Sequence, residues 1–332
     1  MAAPSESCGP GPTRQRVLQI HPTLRCNLQC VHCYSRSGPW AREELDFKAV
    51  NQAVSHAALM GYKVLSVSGG EPFLYSGLSR VLRHARAEGM RTTVTTNGYF
   101  LSARYLEPLR DALDGLAISL DGPPEIHNRM RASPQAFDRL CTGLEELRAC
   151  SVNFGLIHTV TRETWIHLLW IAEFAARNGA GLLQLHPLEL AGRAEEALRD
   201  VAPADDVLSK TYLLAAALAA KYRGVMAIQT DLLHRDQVLC DPGLIYSGST
   251  DELWEWSIPA QLLSVMVPEP DGVTVPLTYG FSRHYKICNV KQRMLCEGWP
   301  LFVRDIYPRL RQLCQNVFDE LTAPGAVWRK VS

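Results

Sequence analysis

Three cysteines near the N-terminus stand close enough in the sequence to bind one metal centre. Cys26, Cys30 and Cys33 form the pattern Cys-x3-Cys-x2-Cys. A loop of this length can place three thiolates around one face of a cubane iron–sulfur cluster, with each thiolate on a different iron. Because a cubane has four irons, one iron is left without a protein ligand and can bind an external chelating group. The spacing therefore predicts one [4Fe–4S] cluster with an open iron.

Two other kinds of metal site share part of this pattern. A tetrahedral zinc site needs four ligands, and His21 or His32 could supply the fourth. An electron-transfer ferredoxin site needs a fourth cysteine nearby, usually followed by proline, and the loop has none. The cysteine spacing by itself leaves zinc as an open alternative.

The composition is that of a globular protein with a substantial core. The 332 residues are 47% apolar and 20% charged, and the formal net charge is +0, which disfavours nucleic acid and anionic membranes as partners. No apolar run reaches the roughly 20 residues that a membrane-spanning helix needs. Residues 1–12 lack the apolar segment of a signal peptide. Without an export signal, ten cysteines indicate ligands, catalysis or core thiols, and we predict a cytoplasmic protein.

The elements that position the cysteines alternate along the chain. Short β-branched or apolar runs alternate with longer segments of helical periodicity, which is typical of a parallel sheet with right-handed crossovers. The predicted strands are Val17–His21, Val64–Ser68, Thr92–Thr96, Leu116–Leu120, Asn153–Val160 and Leu182–His186. The predicted helices are Asp46–Met60, Leu78–Glu88, Arg104–Ala112, Gln135–Ala149 and Thr164–Arg177. Six strands are too few for a closed eight-stranded barrel, so we predict a partial (β/α)6 barrel of α/β class with its ligands at the C-terminal strand ends.

The last third of the chain has a different character. We predict a flexible tail at 1–14, the barrel at 15–198 and a smaller C-terminal α+β domain at 199–332. Within the last unit the pattern predicts a helix at 205–222, a strand at 224–231, a β-hairpin at 262–277 about a Pro-Asp-Gly turn, and a final helix at 306–321. Trp254 and Trp256 fall in an apparent insertion, either as a lid over the barrel mouth or as an anchor between the two units.

The sequence around the cysteines resembles the cluster loop of the radical SAM (S-adenosylmethionine) superfamily, Cys-Asn-Leu-Gln-Cys-Val-His-Cys-Tyr at 26–34. Four later motifs resemble that superfamily in the same order: Gly-Gly-Glu-Pro at 69–72, Thr-Asn-Gly at 96–98, Ser-Leu-Asp-Gly at 119–122, and a His-Asp-x-x-Arg-like segment at 127–131 with Asn128 in place of Asp. The resemblance covers about residues 17–192. It implies that the open iron chelates SAM, whose reductive cleavage gives a 5′-deoxyadenosyl radical that abstracts a substrate hydrogen.

The resemblance also implies roles for single residues around SAM. Gly69 and Gly70 would let the backbone approach the SAM amino group, and Glu71 would orient that group or brace the loop. Asn97 and Ser119 would face the same mouth. The remaining candidates each have a structural alternative: Asp121 as a turn cap, Arg131 as a carboxylate partner of SAM or a surface arginine, and Gln184 and His186 as substrate or SAM contacts or core residues.

The hairpin near residue 270 resembles that of the SPASM or twitch extension, in which auxiliary clusters are bound. That family places a cysteine directly after the hairpin proline, where this chain has Leu277. The cysteines beyond the barrel do not match the family spacing, so we predict free thiols rather than an auxiliary cluster; they are Cys240, Cys288, Cys296 and Cys314. A thiol such as Cys240 or Cys288 is a candidate hydrogen-atom donor to a substrate radical.

Three functions remain open from the sequence. The first is modification of a ribosomal peptide, by crosslinking or epimerisation, with a separate leader-peptide-binding protein because the first strand begins near residue 17. The second is a tailoring enzyme, an epimerase or dehydrogenase, for a small-molecule natural product. The third is a non-catalytic interaction module stapled by zinc. Either enzyme would need a reductase of the flavodoxin or ferredoxin type.

Overall fold

The computed structural model describes residues 15–246, 258–323 and 328–330. The predicted tail and the two tryptophans of the apparent insertion lie outside these residues. The strands are β1 (Val17–Ile20), β2 (Val64–Val67), β3 (Arg91–Thr96), β4 (Gly115–Ser119), β5 (Phe154–Val160), β6 (Leu182–Pro187), β7 (Ala227–Thr230), β8 (Leu232–His234), β9 (Val265–Pro268), β10 (Val273–Pro276), β11 (Cys288–Asn289) and β12 (Trp328–Lys330). The six strands predicted for the barrel are confirmed, each within one residue at either end.

Three of the five helices predicted for the barrel are confirmed within one residue at either end, and the fifth begins four residues late, after a 3-10 turn at Trp165–His167. The helix predicted at Arg104–Ala112 is instead a four-residue helix followed by a 3-10 turn at Glu107–Leu109. α-Helices alternate with the strands along the described chain. They are α1 (Phe47–Leu59), α2 (Leu78–Ala87), α3 (Ala103–Leu106), α4 (Pro124–Arg131), α5 (Ala136–Cys150), α6 (Leu168–Arg177), α7 (Ala194–Ala197), α8 (Asp205–Lys221), α9 (Arg235–Cys240), α10 (Gly243–Tyr246), α11 (Pro259–Leu262), α12 (Leu295–Asp305) and α13 (Tyr307–Thr322). Local chemistry sets the start of α1, where the Asp46 side chain accepts a hydrogen bond from Ala49 N at 2.9 Å. None of the described helices has the length and apolar character needed to cross a membrane.

The sheet contains more strands than the six predicted for the barrel. Its order is β11-β10-β9-β1-β2-β3-β4-β5-β6-β7, and β1 to β7 are all parallel to their neighbours. The strand predicted at 224–231 was expected in the C-terminal unit, but β7 pairs with β6 through Leu182–Ala227 and the following residues. The core sheet therefore has a seventh parallel strand, contributed after helix α8.

The C-terminal hairpin also joins this sheet. Strand β9 pairs in parallel with β1, and β10 pairs antiparallel with β9. The predicted boundary at residue 198 consequently falls between strands of one continuous sheet. Helix α12 was not predicted, because Pro300 inside it removes a backbone donor and breaks the expected pattern.

Burial alternates along the strands and separates two faces of the sheet. In β4 and β6 the buried residues include Ile118 and Leu185, which pack into the core beneath the helices. Their neighbours in sequence, such as Ser119 and His186, are only half-buried on the opposite, open face. The motifs singled out from the sequence lie at or after the C-terminal ends of β1, β2, β3, β4 and β6, the edge of the sheet where we predicted the ligands to bind.

Candidate functional site

The cysteine loop lies between β1 and α1, at the mouth of the partial barrel. Cys26 and Cys30 are 7% and 8% exposed, and Cys33 is half-buried. Each sulfur has a polar neighbour. Cys26 Sγ lies 3.5 Å from Leu28 N and Cys33 Sγ lies 3.4 Å from Ser35 Oγ. Burial raises the pKa of Cys26 to about 12, so a metal must supply the energy that converts this thiol to a bound thiolate.

The side chains around the loop do not form a ready site for a single metal ion in the described part of the chain. No three His, Cys, Asp or Glu side chains of residues 15–246 and 258–323 converge on a point where one metal ion could sit. The two histidines considered as zinc ligands have other neighbours: His32 Nε2 lies 3.8 Å from Asp121 Oδ1, and the His21 ring stacks on Tyr279 at 4.5 Å between centroids. A cubane binds each thiolate through a different iron, so its three cysteines need not converge.

The Gly-Gly segment after β2 packs on the backbone that leads into the cysteine loop. Gly70 N donates to Thr23 O at 2.8 Å, and a Cβ at Gly70 would lie 2.3 Å from Arg25 O. Gly69 has φ +113°, and a Cβ there would lie 2.7 Å from Thr23 O. Glycine is therefore required at both positions because each lies against the backbone of residues 23–25. A further contact of this segment with the SAM amino group is a proposal.

Glu71 joins the ends of two strands. Its carboxylate is fully buried and accepts hydrogen bonds from Thr96 Oγ1 and Asn97 N at 3.0 Å and from Phe73 N at 3.2 Å. Burial raises the pKa of Glu71 to about 7. Of the two roles that the resemblance implied, these contacts provide the brace. Asn97 in turn reaches the cysteine loop, with its Nδ2 2.9 Å from Asn27 Oδ1.

Asp121 lies at the centre of a cluster of buried polar side chains beneath the cysteine loop. Arg131 Nε is 2.7 Å from Asp121 Oδ2, and the Asp121 side chain is inaccessible to solvent. Burial alone would raise the pKa of Asp121, but the Arg131 guanidinium lowers it to about 2. His32, His127 and His158 surround the same carboxylate, and burial lowers the pKa of these rings to about 4, 3 and 4, so they are neutral near pH 7. Asp121 was considered as a turn cap and Arg131 as a surface arginine, and neither description fits this buried pair.

The open face of the sheet carries the other candidates. Ser119 ends β4 and is half-buried there. On β6, Gln184 Nε2 donates to Gln229 Oε1 at 3.3 Å, and His186 Nδ1 contacts Asp231 Oδ2. These two pairs join β6 to the region of β7.

Gly192 and Arg193, in the segment that follows β6, contact the cysteine loop, although no role was predicted for them. Arg193 N donates to Cys33 O at 2.9 Å, and its side chain donates to Cys30 O and Ser37 O. A Cβ at Gly192 would lie 2.3 Å from Tyr34 O. The available signal was the position of Gly-Arg in the loop that follows the sixth strand, at the edge of the barrel where ligands bind.

The C-terminal cysteines are distributed over several elements. Cys288 lies on the edge strand β11, where Gly298 of α12 packs against it. Cys314 is part of α13 and packs in a small apolar cluster with Val238 of α9. Cys240 and Cys296 are exposed. The placement of Cys288 on the sheet edge does not bring it to the barrel mouth. Its role and that of Cys240 as hydrogen-atom donors stay predictions.

Comparisons with known proteins agree with this geometry. A family model described as the Radical SAM superfamily matches residues 20–175. The chain is 32% identical over 193 residues to an AdoMet-dependent heme synthase of Methanosarcina barkeri, covering 57% of this chain and 55% of that protein. It is 26% identical over 289 residues to Fe-coproporphyrin III synthase of the same species, covering 83% and 71%. It is also 29% identical over 194 residues to the mycofactocin maturase MftC of Mycolicibacterium smegmatis, covering 57% and 49%. The chain spans about half the length of the heme synthases it matches.

Two solved structures share the fold. Streptococcus suis SuiB bound to its precursor peptide SuiA superposes with a TM-score of 0.68 at 16% identity, over 90% of this chain and 66% of that chain. The protein anSMEcpe with bound AdoMet superposes with a TM-score of 0.63 at 17% identity, over 85% and 80%. The family match identifies residues 20–175, which contain the cysteine loop, as a radical SAM domain.

Proposed function

We propose that this chain binds a [4Fe–4S] cluster through Cys26, Cys30 and Cys33, binds SAM at the open iron, and uses SAM-derived radical chemistry to abstract a hydrogen atom from a substrate. When bound, the cluster and SAM supply the 5′-deoxyadenosyl radical. The observation that carries the proposal is the loop itself: three cysteines between β1 and α1, with a polar contact to each sulfur. The chain's own residues orient the cofactor and exclude water.

The residues proposed for SAM lie at successive strand ends. Asn97 and Ser119 carry polar atoms at the mouth, next to the loop and on the open face of β4. Gly69 and Gly70 place backbone groups beside them, and Glu71 holds two of these strand ends together. Gln184 and His186 contribute polar groups from β6 toward the adenine or the substrate.

Anaerobic reconstitution tests the proposal. With iron, sulfide, SAM and dithionite, we expect about four irons per chain and formation of 5′-deoxyadenosine. Cys26→Ala, Cys30→Ala and Cys33→Ala should each abolish 5′-deoxyadenosine, whereas Cys141→Ala, on α5 away from the loop, should retain it. Stoichiometric zinc without 5′-deoxyadenosine would contradict the proposal in favour of a zinc-stapled module. About eight irons per chain would contradict the single-cluster prediction.

For the substrate we propose a ribosomal peptide, modified by crosslinking or epimerisation. The similarity to the maturase MftC and the fold shared with SuiB support this choice. A small molecule is the second candidate, and the match to Fe-coproporphyrin III synthase over 83% of this chain favours a tetrapyrrole within that class. We also propose a flavodoxin or ferredoxin-type reductase and a separate leader-peptide-binding protein as partners. The cytoplasmic location stays a prediction.

Two probes separate the substrate classes. A precursor peptide encoded beside this gene should increase 5′-deoxyadenosine formation and change mass if the peptide proposal is right. Fe-coproporphyrin III should do neither. The reverse result would replace the peptide with a tetrapyrrole, and deuterium incorporation from solvent into the peptide would identify epimerisation.

A further inference from the structure

Two arginines reach the cysteine loop from different elements and contact different atoms. Arg131 ends α4 and places its Nη1 3.7 Å from Cys30 Sγ. Arg193 lies beyond β6, and its side chain donates to backbone oxygens of the loop, from Nε to Cys30 O at 2.8 Å and from Nη2 to Ser37 O at 2.7 Å. One arginine therefore approaches the sulfur that would bind iron, and the other holds the peptide chain around it.

The guanidinium of Arg131 is held in one orientation. Its Nε lies 2.7 Å from Asp121 Oδ2 and its Nη2 3.2 Å from Asp121 Oδ1, which is a two-point contact with one carboxylate. The side chains of Arg131 and Asp121 are 9% and 0% exposed, so water does not compete for these contacts. With Nε and Nη2 on Asp121, only Nη1 points at the sulfur.

The backbone of α4 fixes the distance between this arginine and the loop. Val31 N donates to Met130 O at 3.0 Å, one residue from each member of the Cys30–Arg131 contact. Ala132, which ends the helix, has φ +50° and turns the chain away directly after Arg131. Helix and loop are thus joined at the point where the guanidinium meets the thiol.

A buried ion pair of this kind is weak evidence for stability, because desolvating both charges offsets much of their attraction. A positive group fixed beside a cluster ligand does have a specific effect. Hydrogen bonds and positive charge at the sulfur stabilise the cluster state that carries one more electron, and so raise the reduction potential.

We propose that Arg131, oriented by Asp121, is a positioning residue that donates to the Cys30 thiolate and raises the reduction potential of the cluster. This inference rests on the proposed function. It assigns Arg131 to the cluster ligand instead of the SAM carboxylate, which is the role that the family resemblance implied. Arg193, which contacts the same loop without touching a sulfur, is the matched control.

The test compares Arg131→Gln, Arg131→Lys and Arg193→Gln with the wild-type holoenzyme. Iron content, the midpoint potential from an EPR-monitored titration, and the dissociation constant for SAM are measured for each protein. For Arg131→Gln we expect a more negative midpoint potential, such that the ratio of reduced to oxidised cluster at a fixed ambient potential falls about tenfold, which corresponds to about 59 mV for one electron. SAM affinity should stay within about twofold. Arg131→Lys keeps the charge and should recover part of the shift. Arg193→Gln should retain less iron, while the clusters that remain keep the wild-type potential.

Several outcomes overturn the inference. A wild-type potential in Arg131→Gln does so, and a tenfold loss of SAM affinity at unchanged potential assigns Arg131 to SAM instead. If Arg131→Gln does not load a cluster, Arg131→Lys is measured in its place. The inference is again contradicted if that variant keeps the wild-type EPR signal and midpoint potential but binds SAM tenfold more weakly. A wild-type protein that assembles no cluster overturns the proposed function and this inference with it. A wild-type enzyme that forms 5′-deoxyadenosine, beside Arg131 variants that match it in every measurement, overturns this inference alone.

Discussion

The polar side chains on the two sides of the barrel mouth differ in their burial and in the number of their contacts. On the side of β2 to β4, the carboxylates of Glu71 and Asp121 are inaccessible to solvent and each has several fixed partners. On the side of β6 and β7, the side chains of His186 and Asp231 are 36% and 35% exposed and form one pair. The first side holds the cysteine loop in place before a ligand arrives, and the second keeps polar groups accessible. We therefore expect substitutions on the loop side to affect cofactor assembly and those on the open side to affect the substrate.

The largest expected effect comes from filling the space at Gly192, which follows β6 in the sequence but packs on the cysteine loop and so belongs with the loop side. This residue has φ +60°, and a Cβ would lie 2.3 Å from Tyr34 O and 2.4 Å from Cys33 O, so Gly192→Ala must displace the loop backbone. We expect at least a tenfold loss of reconstituted iron, measured against protein concentration.

Gly179→Ala provides the matched control for that substitution. Gly179 also has a positive φ, +82°, but a Cβ there meets nothing within 4 Å. It should cost about 1–2 kcal/mol of stability from the left-handed backbone and leave the iron content unchanged. Full iron content in Gly192→Ala would show that the loop tolerates displacement, and the contrast between the two sides would fail at its strongest point.

A smaller effect is expected in the pH dependence of stability, through Glu71. Burial raises the pKa of Glu71 from 4.5 to about 7, so between these values the folded protein keeps a proton that the unfolded chain has released. Stability from this group therefore falls as pH rises from about 4.5 to 7, by up to about 3 kcal/mol. The buried histidines act oppositely on acidification, because their folded pKa values are lowered.

Comparison with Glu71→Gln isolates this contribution. The histidines titrate in both proteins, so their effect cancels in the difference between the two free energies of unfolding. Measured by denaturant titration before cluster reconstitution, that difference should change across the window by up to about 3 kcal/mol. Parallel curves for the two proteins would refute a raised pKa at Glu71.

The smallest effect is expected on the open side, from Asp231→Asn. The pair with His186 is about one-third exposed, and pairs of this kind contribute at most about 1 kcal/mol. The matched change Asp121→Asn removes the partner of a buried arginine and should cost about 3–5 kcal/mol. Chemical denaturation of both variants measures the two costs. Equal costs would mean that the two sides do not differ in the way their burial indicates.

The sequence predicted the parts of this fold that depend on local patterns. Strand periodicity located all six strands expected for the barrel, and the motifs lie at the C-terminal ends of strands, where ligands of such barrels bind. The cysteine loop and Glu71 were identified through motifs with fixed spacing.

The remaining features depend on pairings between distant residues, which local periodicity does not encode. The pairing of Val17 with Val265 and the extension of the sheet by β7 are of this kind. Arg131 shows the same limit at the level of a side chain. Its position in a motif indicated that it is functional, but its contacts with Asp121 and Cys30 depend on how α4 packs against the loop.

The position of β1 in the sheet has a consequence for the order in which the protein can be completed. β1 carries the cysteine loop, and it is bonded on one side to β2 and on the other to β9, which begins at Val265. A ribosome that has synthesised the chain only to residue 198 has produced every barrel strand of the loop side but leaves one edge of β1 unpaired. The strand that leads into the metal-binding loop is thus enclosed only after most of the chain has been translated, so maturation of the cluster site is tied to late synthesis of the hairpin.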